Sequence, residues 1–141
     1  MDAPRTVTTT SISLAGARAA IAAAQAHARE LGVAVCVAVV DPAGQLVAFE
    51  REEGTAPTCT ELAIDKAYTA AVMGGDTDQN ADFIAADDHL ARSVPHVPRL
   101  RLFGGGVLLH EGDDTVGAIG VSGGYHVQDH EIARAGAGRV D

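Results

Sequence analysis

VAVCVAVVDPAGQLVAFER, residues 33–51, decides the architecture. Its first eight residues, VAVCVAVV (33–40), form a continuous β-branched run, too short for a helix and apolar at every position, as in a strand buried on both faces. DPAG (41–44) then places Asp, Pro and Gly at the first, second and fourth positions that a type I turn prefers. QLVAFER (45–51) returns as the second strand of a hairpin. A hairpin pairs its strands antiparallel, so the sheet grows by turns rather than by βαβ crossovers.

Working outward, Leu14, Ala17, Ile21, Ala24, Ala28 and Leu31 alternate spacings of three and four. They predict an amphipathic helix with Ser13 at its start and Gly32 as its left-handed stop. Downstream, TCTELAIDKAYTAAVM (58–73) reads as a second helix, and GGDTDQNADFIAADDHLARS (74–93) as a break and a shorter polar helix. VPHVP (94–98) reads as an extended connector, since proline biases its predecessor away from helix. VLLHE, GDD and TVGAIGV predict a second hairpin, and a last helix is expected from near Val127 to about Ala135. The resulting order is that of an α+β domain. It is expected to occupy residues 1–141 as one unit, with 1–10 and 139–141 frayed.

The chain has 141 residues, 47% of them apolar but only 4% aromatic, so its core must be built from Ala, Val, Leu and Ile in thin layers. A net charge of −9 opposes binding to nucleic acid or anionic lipid, and neither partner is expected. MDAPRTVTTTSIS (1–13) shows neither the cationic lead nor the apolar run of a signal peptide, and a cytoplasmic location is expected. Cys36 and Cys59 are read as reduced thiols.

GAIGVSGGYHVQDH (117–130) carries the densest chemistry. It lacks the Lys of a Walker loop and the βαβ setting of a dinucleotide fingerprint, so no nucleotide and no redox cofactor motif is present. GVSGG (120–124) fits a nucleophile elbow, but that fold places its acid and histidine well downstream in a larger parallel sheet and only 17 residues follow Gly124, so Ser122 is read as satisfying local backbone donors. With His126 as N-cap, Asp129 falls at N3, where a carboxylate complements the helix dipole. Histidine is a poor N-cap, which marks His126 as a candidate functional residue. His126 and His130 are four apart, a third metal ligand would have to come from Glu61, Asp65, His89, His96 or His110, and no metal is assigned. DTDQNADFIAAD (76–87) places oxygen ligands like a calcium loop, yet has Ala81 where a sharp turn needs Gly. Capping by Thr77, with Asp78 in the first turn, explains these acids more simply.

Lys66, the only lysine, projects into the arc of Cys59, Ala63, Ala67, Ala70 and Met73. An amine there must be paired, snorkel outward or lose its charge easily. The expected site gathers catalytic His126, Lys66, Asp129 and Tyr125 beside ligand-binding Gly104, Gly105, Gly106, Ser122, Gly123, Gly124 and Glu61. There the glycines would admit a ligand, and the helix start would attract an anionic group. His126 would act as acid or base, Asp129 would orient it, Lys66 would hold a carboxylate and Tyr125 would donate a hydrogen bond.

VAVVDPAGQLVAFEREEG, AIDKAYTAA, FGGGVLL and GAIGVSGGYHVQDHEIARAG, in this order, resemble the GlcG/HbpS-like family, which includes heme-binding sensor proteins and a domain appended to some cobalamin adenosyltransferases. The resemblance covers residues 10–138. It implies a profilin-like antiparallel sheet of about five strands with helices on both faces, assembled as a homo-oligomer. It also implies a small-molecule ligand, with heme a possible cofactor. In many relatives the positions matching Tyr125 and His126 hold small hydroxyl residues, and that of His130 is acidic. The function expected is acid–base chemistry (elimination, isomerisation or hydrolysis) on a small organic acid or other metabolite. The alternative is a non-catalytic heme- or corrinoid-binding protein.

Overall fold

The computed structural model describes residues 2–139. Of the ends expected to fray, Met1, Val140 and Asp141 lie outside the described residues. The elements run α1 (Leu14–Leu31), β1 (Cys36–Val40), β2 (Leu46–Arg51), α2 (Thr58–Met73), α3 (Thr77–Ala85), α4 (Asp88–Ser93), β3 (Gly106–Glu111), β4 (Asp114–Ser122) and α5 (His126–Gly136). The fold is α+β, with one antiparallel sheet ordered β2-β1-β4-β3.

Both ends of α1 lie where the sequence marks them. Ser13 Oγ accepts the Gly16 amide at 3.0 Å, and Gly32 closes the helix in the left-handed conformation at φ 70°. In the first hairpin, Asp41 Oδ1 accepts the amides of Ala43 and Gln45, each at 2.9 Å, and Gly44 turns at φ 83°. β1 is buried along its whole length, since helices cover both faces of the sheet. Val37, Val39, Val107, Ile119 and Val121 pack against α1 and α5, while Cys36, Ala38, Val40, Leu108 and Ala118 meet α2.

Among the described residues the sheet has four strands, not the expected five. At the β3 edge, where another strand would pair, side chains at the start of α3 take the donors instead. Thr77 Oγ1 accepts the Gly106 amide and Asp76 Oδ1 the Leu108 amide, both at 2.9 Å. This arrangement closes an otherwise exposed edge. It also corrects the capping assignment: Asp76 is the N-cap of α3 and Thr77 its first residue, and neither side chain caps the helix. Residues 77–85 are helical, so the acids do not wrap a calcium loop. Two further readings change. Residues 74–93 contain two short helices, and Val94–His96 forms a 3-10 turn rather than an extended connector, with Pro95 in its first positions, where a missing N–H costs little.

α2 lies directly on β4. A Cβ on Gly120 would strike Ala63 O and come within 2.5 Å of Ala67 N, both buried backbone atoms that cannot rotate away. Gly120→Val is therefore expected to cost about 3 kcal/mol or more, the upper end of overpacking penalties, measured by urea denaturation.

Candidate functional site

Lys66 is the only lysine in the sequence and is fully buried. From the middle of α2, its Nζ donates to Asp129 Oδ2 on α5 and to Val121 O on β4, both at 3.0 Å, and lies 4.4 Å from the centre of the Phe103 ring. Of the fates open to an amine on an apolar face, pairing is the one adopted. Burial pushes the Lys66 amine below its ordinary range, against the attraction of Asp129. Burial likewise pushes the Asp129 carboxyl up, against the charge of Lys66 and the bond from the Gly124 amide.

Asp129 is one residue beyond the expected N3 position, because Tyr125 rather than His126 is the N-cap and Gln128 occupies N3. Gln128 Oε1 accepts the Tyr125 amide at 3.0 Å and Asp129 Oδ1 the Gly124 amide at 2.8 Å. Two amides expected to receive a ligand anion at this helix start are thus satisfied by the chain's own side chains.

The FGGG loop is tight for an internal reason. A Cβ at Gly105, where φ is 131°, would come within 2.7 Å of Lys66 Cδ, and one at Gly106 would strike Lys66 O. Gly105 and Gly106 make room for the buried lysine, and of the three loop glycines Gly104 reaches the pocket.

That pocket, about 330 Å³, is lined by Asp78, Gly104, His126, Val127, His130, Glu131 and Arg134. His126 is half-buried in its wall, with its ring 4.4 Å from that of Tyr125 and 6.5 Å, edge-on, from that of Phe103. Its imidazole makes ring contacts but no hydrogen bond with the described residues. Lys66 and Asp129 lie beneath the wall and do not line the cavity. Ser122 is buried, paired with Cys36 across β4 and β1, and Glu61 lies apart on α2, 3.8 Å from Arg101. Of the proposed catalytic four, therefore, the structure brings His126 to the pocket and Tyr125 to its ring, while Lys66 and Asp129 engage each other.

Sequence reasoning passed over Phe103, Asp78 and Arg134 in the site and gave His130 no role beyond a metal. A lone Phe beside glycines carries no periodic signal, and Asp78 was fully explained as a first-turn acid.

His130 Nδ1 accepts the Gly105 amide at 3.0 Å, so in the neutral ring the proton sits on Nε2. Nε2 lies 3.1 Å from Asp78 Oδ2, an ion-pair distance, but off the axis needed for a hydrogen bond, so this buried atom has none. Asp76, Asp78 and His130 come close enough to surround an ion. The donor set does not fit one: Nε2 holds a proton, Asp76 Oδ2 is bonded to Arg139 at 2.7 Å and Asp76 Oδ1 to Leu108 N. Burial lowers the His130 pKa below 6.5, opposed by Asp78 and Asp76 and assisted by Arg134 and Arg139.

A family described as "Haem degrading protein HbpS-like" matches residues 12–138. An uncharacterised 15.0 kDa protein from the dhaT-dhaS intergenic region of Citrobacter freundii is 32% identical over 105 residues, 74% of each chain. The crystal structure of Klebsiella pneumoniae ORFY superposes with a TM-score of 0.90 at 26% identity, covering 99% of this chain and 97% of that one. The PduOC–heme complex does so with a TM-score of 0.83 at 27% identity, covering 94% and 96%.

Two outcomes follow from this geometry. Lys66→Met strands a buried carboxylate and is expected to cost about 3–5 kcal/mol in chemical denaturation. Adding Asp129→Asn, which removes the charge but keeps an acceptor for Gly124, is expected to recover part of that loss. For His130, a folded pKa below the unfolded value of 6.5 means that the neutral ring favours the fold at higher pH. Its contribution is complete above 6.5 and is lost as pH falls toward the depressed folded value. His130→Asn retains an acceptor for Gly105 and is expected to abolish that part of the acid sensitivity, read as the difference between the two unfolding-midpoint profiles.

Proposed function

The chain belongs to the HbpS-like family, and from that premise we propose that it binds heme at the pocket beside the start of α5, where His126 would hold the iron. The observation that carries this reading is the state of His126: half-buried in the pocket wall, ringed by aromatic groups and with no hydrogen bond to the described residues. A ring nitrogen with its lone pair available is what heme iron takes. The donor chemistry separates the two histidines, since His130 has its Nδ1 lone pair engaged by Gly105 and its Nε2 protonated.

The cavity lies at the small end of the range for ligand sites, about 300–1,000 Å³. Exposed Tyr125 and Val127 and the part-exposed Phe103 extend it with apolar surface against which a macrocycle would rest. Arg134, in the pocket lining, suits the propionate end. When bound, heme supplies an iron centre and its Soret absorption; the chain's own part is to present the imidazole and exclude water from it. The solved PduOC–heme complex supports this reading by likeness of fold. Acid–base chemistry is not proposed, because Lys66 and Asp129 neutralise each other below the pocket wall. Among the described residues no helix is long and apolar enough to cross a membrane. The chain is further expected to assemble as a homo-oligomer, as the resemblance implies.

Titration of the chain with micromolar heme is expected to give a saturable Soret band. His126→Ala is expected to weaken binding by about tenfold or more and to move the band, as loss of an iron-ligating imidazole does. His130→Asn is expected to leave the band in place. No Soret band in the wild-type chain overturns the reading, and an unchanged one in His126→Ala removes His126 from it.

A further inference from the structure

On another side of α2, Asp65 is buried, yet its carboxylate meets two guanidinium groups. Arg99 Nε donates to Oδ1 at 3.0 Å, and Arg101 donates to Oδ2 through Nη2 at 2.9 Å and Nε at 3.2 Å. Of the two carboxylates that face these guanidiniums, only the buried Asp65 holds them closely, while the exposed Glu61 stands 3.8 Å from Arg101. Both side chains remain open to solvent, at 45% for Arg99 and 35% for Arg101. The Arg99 guanidinium stacks 3.7 Å above the Tyr68 ring, and neither of its terminal nitrogens has a hydrogen-bond partner among the described residues.

The backbone that presents them is over-determined. Arg99 adopts φ 69°, a left-handed conformation that a non-glycine residue takes at a cost. Thr69 holds it there: Oγ1 accepts the Arg101 amide at 2.9 Å, and its hydroxyl lies 2.7 Å from Asp65 O and 3.2 Å from Arg99 O. Pre-set, part-exposed guanidinium groups on a rigid turn suit planar or tetrahedral oxyanions. Glu61, 3.8 Å from Arg101 and 78% exposed, shows the approach that a carboxylate takes.

We propose that Arg99 and Arg101, braced by Asp65 and Tyr68, form an oxyanion-binding site for the carboxylate or phosphate group of a ligand, with Glu61 as its exchangeable internal counter-ion. The site is separate from the heme pocket, and its test does not use heme.

The full chain with ¹⁵N-labelled arginine is titrated with inorganic phosphate and with acetate at constant ionic strength. The Nε–Hε signals of Arg99 and Arg101 are expected to shift saturably with at least one of them, and which one saturates assigns the ligand class. Glu61→Gln, which removes the competing carboxylate, is expected to tighten binding several-fold. Arg99→Lys, which keeps the charge but loses the fork and the stack, is expected to weaken it about tenfold. Shifts no larger than chloride produces overturn the proposal, as does a Glu61→Gln variant with unchanged affinity.

Discussion

A lysine amine with no access to water organises this molecule. Lys66 reaches from α2 to the end of β4 and the first turn of α5, so one side chain joins three elements remote in sequence. Such a pair adds little net stability, since desolvation offsets the Coulomb attraction, but losing either partner leaves a buried charge unanswered. The consequence is positional. With Asp129 held by Lys66, its other oxygen accepts the Gly124 amide and anchors the turn that delivers Tyr125 and His126. The loop glycines follow from the same constraint, because larger residues at 105 and 106 would collide with Lys66.

His130 supplies a second lock on the same loop. By accepting the Gly105 amide it ties α5 to the start of β3, and that bond dictates where its own proton resides. Two histidines one helical turn apart are therefore chemically unlike: one is committed to the fold, while the other makes ring contacts and no hydrogen bond with the described residues.

Local patterns were readable because local physics produces them. The spacing of apolar residues in α1, the DPAG turn and the β-branched run of β1 each specify their element without help from the rest of the chain. The position of Lys66 on an apolar helix face was equally legible. Its partner was not, since Asp129 lies 63 residues away and only the folded sheet brings it near. The missing strand has the same origin: side chains of Asp76 and Thr77 replace a ladder, and helix-start acids carry no mark of which edge they will cover. Asp129 also shows how one residue of offset matters. Read as N3 it would cap its own helix, but at the next position it faces the preceding glycine turn and the buried amine.

Adjacent residues on α2 divide the work of holding the chain between α4 and β3. Asp65 and Thr69 grip Arg99 and Arg101, while Lys66 lies beneath Phe103, Gly105 and Gly106. The segment is thereby clamped along its length by one helix, although it contains no regular element between residues 97 and 105. Its aromatic ring lies 4.4 Å from the buried ammonium and 6.5 Å from the pocket imidazole. A ring held over a cation is fixed in direction by its quadrupole. The buried ammonium therefore helps to orient the ring whose edge meets the pocket imidazole.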